Sequence, residues 1–111
     1  MSEQALTPEL LEIIAERFKV LGEPTRLRIL NALRTAEELS VSELIEKTEL
    51  GQANLSKHLG LLYNSGFVER RKDGAYVYYS LANKDVFVLC DIMCGRLEAE
   101  SEARLKIVSR T

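Results

Sequence analysis

Apolar positions in the first third of the chain recur at helical spacing. Leu11, Ile14, Phe18 and Leu21 fall on one helix face. Thr7-Pro8-Glu9 opens that helix with a capping hydroxyl, a proline suited to the first turn and an acid at the positive end. Gly22 supplies a stop, and Pro24 restarts the count. The second helix carries Leu27, Leu30 and Leu33, with Ile29 widening the apolar face and Arg26, Arg28 and Arg34 on the wetter sides, and it fades near Ala36. Ser40 and Glu43 have the spacing of a capping box, which predicts a short third helix with Leu44 and Ile45 facing inward.

A turn at Glu49-Leu50-Gly51 leads into a fourth predicted helix over residues 52–64, whose Leu55, Leu59 and Leu62 share one face and which Gly66 closes. Two helices joined by so short a glycine-containing turn form a helix-turn-helix. The period then changes from helical to alternating. Residues 67–71 and 75–81 are strand-like, and Lys72-Asp73-Gly74 between them signals a hairpin, which makes a wing. Asn83 caps a final helix with Asp85 at its positive end, and Val86, Cys90, Met93 and Leu97 repeat along it as an apolar stripe. The expected fold is mainly α with a small β-hairpin, an α+β winged helix-turn-helix in the order helix, helix, helix, helix, strand, strand, helix. With 111 residues it is expected to be one domain, residues 1–111. The apolar stripes on the first and last helices exceed what so small a chain covers alone, so a homodimer is expected.

Composition narrows the classes. The chain is 46% hydrophobic and 29% charged, the balance of an ordinary soluble domain, and no apolar run approaches the ~20 residues of a membrane span. The first residues carry neither a basic nor an apolar signal region, so the cytoplasm is the expected compartment and no membrane partner is expected. The formal net charge of −2 does not announce a nucleic-acid binder. Its distribution matters more. Residues 1–49 carry ten acidic and six basic groups, net −4, whereas residues 50–80 carry four basic and two acidic, net +2. The middle segment is therefore the local candidate for a phosphate footprint. Arg26 and Arg28 are expected to pair with the excess acids of the first half.

Three stretches in this order carry a resemblance: Gly22-Glu23-Pro24-Thr25-Arg26-Leu27-Arg28-Ile29-Leu30, then Gln52-Ala53-Asn54-Leu55-Ser56-Lys57-His58-Leu59, then the tyrosine-rich Tyr76-Val77-Tyr78-Tyr79. Together, from about Leu10 to Leu97, they resemble the ArsR/SmtB family of metal- and stress-responsive repressors. The resemblance implies a homodimer built on the N- and C-terminal helices, a recognition helix in the major groove of double-stranded DNA, and release from the operator when an inducer binds. A two-fold dimer reads an imperfect palindrome.

The side chains support DNA reading on their own account. Opposite the leucines, the fourth helix presents Ala53, Lys57 and Gly60, flanked by Asn54 and Ser56, and it opens on Gln52. Gln and Asn pair bidentately with adenine, Lys with guanine or phosphate, and Ser with either. His58 lies nearer the leucine side and is either a DNA contact or a satisfied boundary histidine. Arg70, Arg71 and Lys72 place charge beside the hairpin tip, where it fits phosphate or the minor groove. Strand alternation sends Arg70 and Arg71 to opposite faces, so at most one of them belongs on the DNA side.

The inducer is less determined. The resemblance puts thiolates of arsenic-responsive members where Glu38-Leu39-Ser40-Val41-Ser42 has serines, and the ligands of zinc-sensing members are absent from the last helix apart from Asp85. What remains is Cys90 and Cys94, two thiols at i and i+4 on the last helix. They are either core packing or a sensor for a soft metal or metalloid ion, an oxidant or reactive sulfur. Cβ atoms four apart on a helix stand about 5 to 6 Å apart against about 3.8 Å in a disulfide, so a bridging thiophilic ion suits the pair better than a disulfide does. No obligatory cofactor is expected. A DNA-binding or DNA-architectural dimer without an inducer stays open as the alternative. An enzyme would need Cys90 or Cys94 with His58 as nucleophile and base. No glycine-rich phosphate loop or paired carboxylates accompany them, so no enzymatic activity is expected.

Overall fold

The computed structural model, which describes residues 5–101, has five helices and a small sheet. Helix α1 spans Pro8–Leu21, with Thr7 Oγ1 accepting the Leu10 N–H at 3.1 Å. Helix α2 spans Pro24–Arg34 and is capped by the Glu23 carboxylate, which accepts the Thr25 N–H at 2.6 Å. Helix α3, Val41–Thr48, begins with the expected capping box: Ser40 Oγ accepts from Glu43 N, and Glu43 Oε1 accepts from Ser40 N. Helix α4 spans Gln52–Asn64 and helix α5 Asp85–Glu100.

The sheet has one strand more than the pattern predicts. Strand β1, Leu39–Ser40, pairs with β3, Tyr76–Leu81, which pairs in turn with β2, Val68–Asp73, in the antiparallel order β1-β3-β2. Lys72 and Asp73 lie in β2 and not in the turn. Asp73 faces Tyr76 in register, leaving Gly74 and Ala75 as a two-residue connection. Gly74 takes φ 63, the glycine-first arrangement of a type II′ hairpin. The turn of the helix-turn-helix falls at Glu49-Leu50-Gly51 as expected. Glu49 is the left-handed residue at φ 61, while Gly51 is extended and precedes α4. Lys84 immediately precedes α5, and Asn83 assists by accepting the Asp85 N–H on its Oδ1 at 3.0 Å.

The core lies where α2, α3 and α4 meet the sheet. Ile29, Leu30, Leu33, Leu44, Leu55, Leu59 and Leu62 are fully buried, with Leu39, Val68 and Tyr79 closing it on the sheet side. Each such aliphatic side chain stabilises the fold by about 1.5 to 3 kcal/mol through burial. The terminal helices share little of this. Val20 is the buried residue of α1, and Val86 and Phe87 are those of α5. Phe18 stays 56% exposed and Ile92 60% exposed. The stripe of Leu11, Ile14, Phe18 and Leu21 is thus helical as expected but largely uncovered within one chain.

Candidate nucleic-acid interface

Helix α4 is anchored by its leucines and presents its other side to solvent. Leu55, Leu59 and Leu62 are buried, while Gln52, Ala53, Asn54, Ser56 and Lys57 are exposed. The helix starts at Gly51 with no side-chain cap and no acid in its first turn. Its first N–H groups and the positive helix end are therefore left for water or an anion. The start of α3 is the contrary case, closed by Ser40 and Glu43. Between α3, the first turn of α4 and the wing runs an open groove of about 420 Å³, lined by Ser42, Gln52, Ser56, Ala75 and Tyr76 among others.

The wing divides its charges as strand alternation requires. Arg70 lies on the α4 side, its guanidinium 4.0 Å from the centroid of Tyr63, a stacking that desolvates little and fixes the direction of the charge. Arg71 lies on the opposite face. There it stacks on Tyr78 at 4.7 Å, forms a bidentate pair with Glu38 through Nε at 3.2 Å and through Nη2, and approaches Asp73 at 3.7 Å. Its hydrogen bond holds the Glu38 carboxyl below the ordinary 4.5. In this arrangement Glu38 holds the Arg71 guanidinium, while that of Arg70 is the one on the α4 side. Lys72 is exposed and makes no ion pair among the described residues.

His58 also departs from the DNA-facing set. It is 6% exposed, and its Nδ1 accepts the Arg26 Nε–H at 3.2 Å. This is the geometry of a satisfied boundary histidine, one of the two readings that the sequence leaves open. Among the described residues Arg26 and Arg28 do not form the expected ion pairs. Arg26 also donates to the Val20 carbonyl, and Arg28 donates to the Thr48 carbonyl. Glu23 has its carboxyl lowered chiefly by the Thr25 N–H, with the Arg26 charge adding to it.

Cys90 and Cys94 are half-buried on α5 and are not joined in a disulfide; Cys90 packs against the core. No cluster of three or more metal-ligating side chains occurs among the described residues. Beside them, Arg34 of α2 grips α5 twice, its guanidinium 4.5 Å from the Phe87 ring centre and its Nη2 3.7 Å from Asp91 Oδ2. Sequence reasoning missed the partners Tyr63, Glu38 and Arg34. Only the opposite-face rule for Arg70 and Arg71 pointed toward the first two. No helix among the described residues is long and apolar enough to cross a membrane.

The bacterial regulatory protein arsR family matches the chain over residues 23–70. An uncharacterized HTH-type transcriptional regulator of Methanocaldococcus jannaschii is 35% identical over 86 residues, covering 75% of this chain and 97% of that one. A protein of Streptomyces lividans named "Probable mercury resistance operon repressor" is 34% identical, covering 86% of this chain and 75% of its own length. Among solved structures, the homodimeric winged helix-turn-helix DNA-binding domain (fragment 1-100) of a Mycobacterium bovis protein described as "a possible ArsR-family transcriptional regulator" superposes with a TM-score of 0.74 at 30% identity, covering 89% of this chain and 95% of that one.

Proposed function

Since the chain belongs to the arsR family of bacterial regulatory proteins and is a DNA-binding transcriptional regulator, we propose that it is a homodimeric repressor released from an imperfect palindromic operator by a thiol-directed signal. The observation that carries the DNA part is α4, with its leucines buried and Gln52, Ala53, Asn54, Ser56 and Lys57 exposed beside an uncapped helix start. Gln52, Asn54 and Ser56 read base edges, and Lys57, Arg70 and Lys72 meet phosphate or the groove wall. The uncovered apolar faces of α1 and α5 support a second copy, as does the homodimeric relative. The whole chain, residues 1–111, acts as one winged helix-turn-helix domain whose end helices dimerise. Work on chromosomal DNA places it in the cytoplasm, and no catalytic role is assigned to it.

The inducer reading rests on Cys90 and Cys94, one turn apart on a helix of the proposed interface. Cys90 and Cys94 would hold a thiophilic ion, of the class named for the mercury-resistance relative, as thiolates. Their protons pass to solvent. Bridging would fix the α5 turn from Cys90 to Cys94, which contains Asp91, one of the two points that Arg34 grips, and so would bias the contact between α5 and α2. A 100-fold loss of operator affinity requires about 2.7 kcal/mol of bias, within ordinary allosteric coupling. The packing of Cys90 against the core favours the second reading, a DNA-binding or architectural dimer without inducer. A fluorescent operator titrated with wild type, Cys90→Ser, Cys94→Ser and the double variant separates the two, under reductant, peroxide, polysulfide, arsenite and cadmium. Wild type releases DNA under at least one treatment and the variants stay bound. Indifference of wild type to all of them, or a response that survives in the double variant, makes the cysteines packing alone.

A further inference from the structure

The leucines of α4 hold it against the core, but burial of apolar surface is non-directional and leaves rotation of the helix loosely set. A hydrogen bond fixes direction as well as distance. The described residues supply one such fixture at the middle of α4. Arg26, half-buried in the first turn of α2, donates through Nε to His58 Nδ1 at 3.2 Å and through Nη1 to the Val20 carbonyl at 3.2 Å. Arginine is always protonated and only donates, so Nδ1 is the accepting nitrogen and a neutral ring carries its proton on Nε2.

The three tied points lie on three helices with different duties. Val20 is in the last turn of α1 and is its buried residue. His58 sits on α4 between Lys57, which is exposed, and Leu59, which is buried. Glu23, fixed by the Thr25 N–H at 2.6 Å, adds negative charge near the guanidinium and leaves it in place. A planar fork is suited to this, since it holds two acceptors in one plane at a fixed angle. Leucine packing at α1 is too sparse to do the same.

We propose that Arg26 is a positioning residue for DNA recognition: through Val20 and His58 it sets the angle between α1 and α4, and so carries the geometry of the dimer into the spacing of the two recognition helices. The inference rests on the homodimeric operator-binding reading, with α1 in the interface. Two half-sites on duplex DNA stand at fixed separation and phase. A dimer with a rigid α1–α4 angle tolerates one spacing. Loosening that angle weakens binding to the right spacing and relaxes discrimination against the wrong one.

The test measures affinity for the selected operator, for the same operator with one base pair inserted or removed between half-sites, and for unrelated duplex. The proteins are wild type, Arg26→Lys, His58→Phe and His58→Asn, with dimerisation and thermal midpoint recorded for each. Lysine keeps the charge but lacks the fork, phenylalanine fills the space without an acceptor, and asparagine restores an acceptor oxygen near Nδ1. Arg26→Lys and His58→Phe are expected to lose about 10-fold, equivalent to about 1.4 kcal/mol, on the correct operator and to lose most of the spacing preference. Unrelated duplex changes by less than about twofold, in line with its sequence-independent electrostatic origin, and His58→Asn behaves as wild type. Retained spacing preference in Arg26→Lys and His58→Phe overturns the proposal, as does a uniform loss on all duplexes that follows the fall in thermal midpoint. Should His58→Phe not fold, Arg26→Lys alone decides by the same criterion. If wild type itself shows no preference for a palindrome of defined spacing, the underlying DNA reading fails first and takes this inference with it.

Discussion

Helices α4 and α5 are of comparable length, 13 and 16 residues, and both carry an apolar stripe, yet they spend it differently. Helix α4 buries Leu55, Leu59 and Leu62 against its own chain and turns a polar face outward. Helix α5 buries Val86 and Phe87 in its first turn and leaves Val88, Leu89, Ile92, Met93 and Leu97 exposed. Periodicity therefore announces that an apolar face exists but not whose atoms cover it. The first kind of face builds the protomer. The second, matched by the exposed Leu10, Leu11, Ile13 and Phe18 on α1, asks for a partner, since large apolar patches rarely stay wet on a monomer.

The largest expected effect breaks the α4 side of this comparison. Leu59→Ala empties a fully buried position and costs about 2 to 5 kcal/mol of folding stability in denaturant titration. A loss below about 1 kcal/mol, the scale of an exposed or collapsible site, contradicts its placement at the core. The α5 side answers differently. Ile92→Glu leaves the helical content of the protomer intact but puts a charge in the proposed interface, costing about 2 kcal/mol or more of dimer affinity. Sedimentation shifts toward monomer, and operator binding falls with it. A stable dimer in this variant places the interface elsewhere.

Smaller effects sharpen the polar face. Gln52→Ala and Asn54→Ala each cost about 1 to 3 kcal/mol at particular base pairs and reorder operator preference. Lys72→Ala weakens all sequences alike and reduces the salt slope by about one. Arg71→Ala changes affinity less than Lys72→Ala, because Glu38 already holds that guanidinium. Equal losses from the two make the Glu38 pair irrelevant to DNA binding.

The smallest effect is a pH dependence in the wing. Glu38 has a folded-state carboxyl below its ordinary 4.5 because Arg71 hydrogen-bonds the ionised form. The pair's contribution is present above that ordinary value and is lost as pH falls through the depressed one. Thermal midpoints of wild type and Glu38→Gln should therefore converge as the pH drops below about 4.5. A difference that stays constant down to acid rules out this linkage.

Much of the frame was legible because its signals are local. Caps, glycines and apolar period locate α1, α2, α3 and α4, and the Ser40–Glu43 box forms as its spacing requires. Strand β1 was illegible because two residues, Leu39 and Ser40, show no period, and their partners Tyr79 and Tyr78 lie far along the chain. The hairpin connection moved from Lys72-Asp73-Gly74 to Gly74-Ala75 because strand pairing extends through Asp73. At the site, the exposed set on α4 follows from helical geometry alone. The fates of His58 and Arg71 do not, since both depend on which residue of another element arrives beside them: Arg26 for one, Glu38 for the other.

In the proposed complex two copies present paired α4 helices to one duplex. The decisive measurement is selection of bound duplexes from a random pool by the purified, reduced protein. Enrichment of an imperfect palindrome is expected, with half-site centres about 34 to 36 Å apart or a multiple of that distance. Recovery of a lone asymmetric half-site, or of no preferred sequence at low salt, would contradict it.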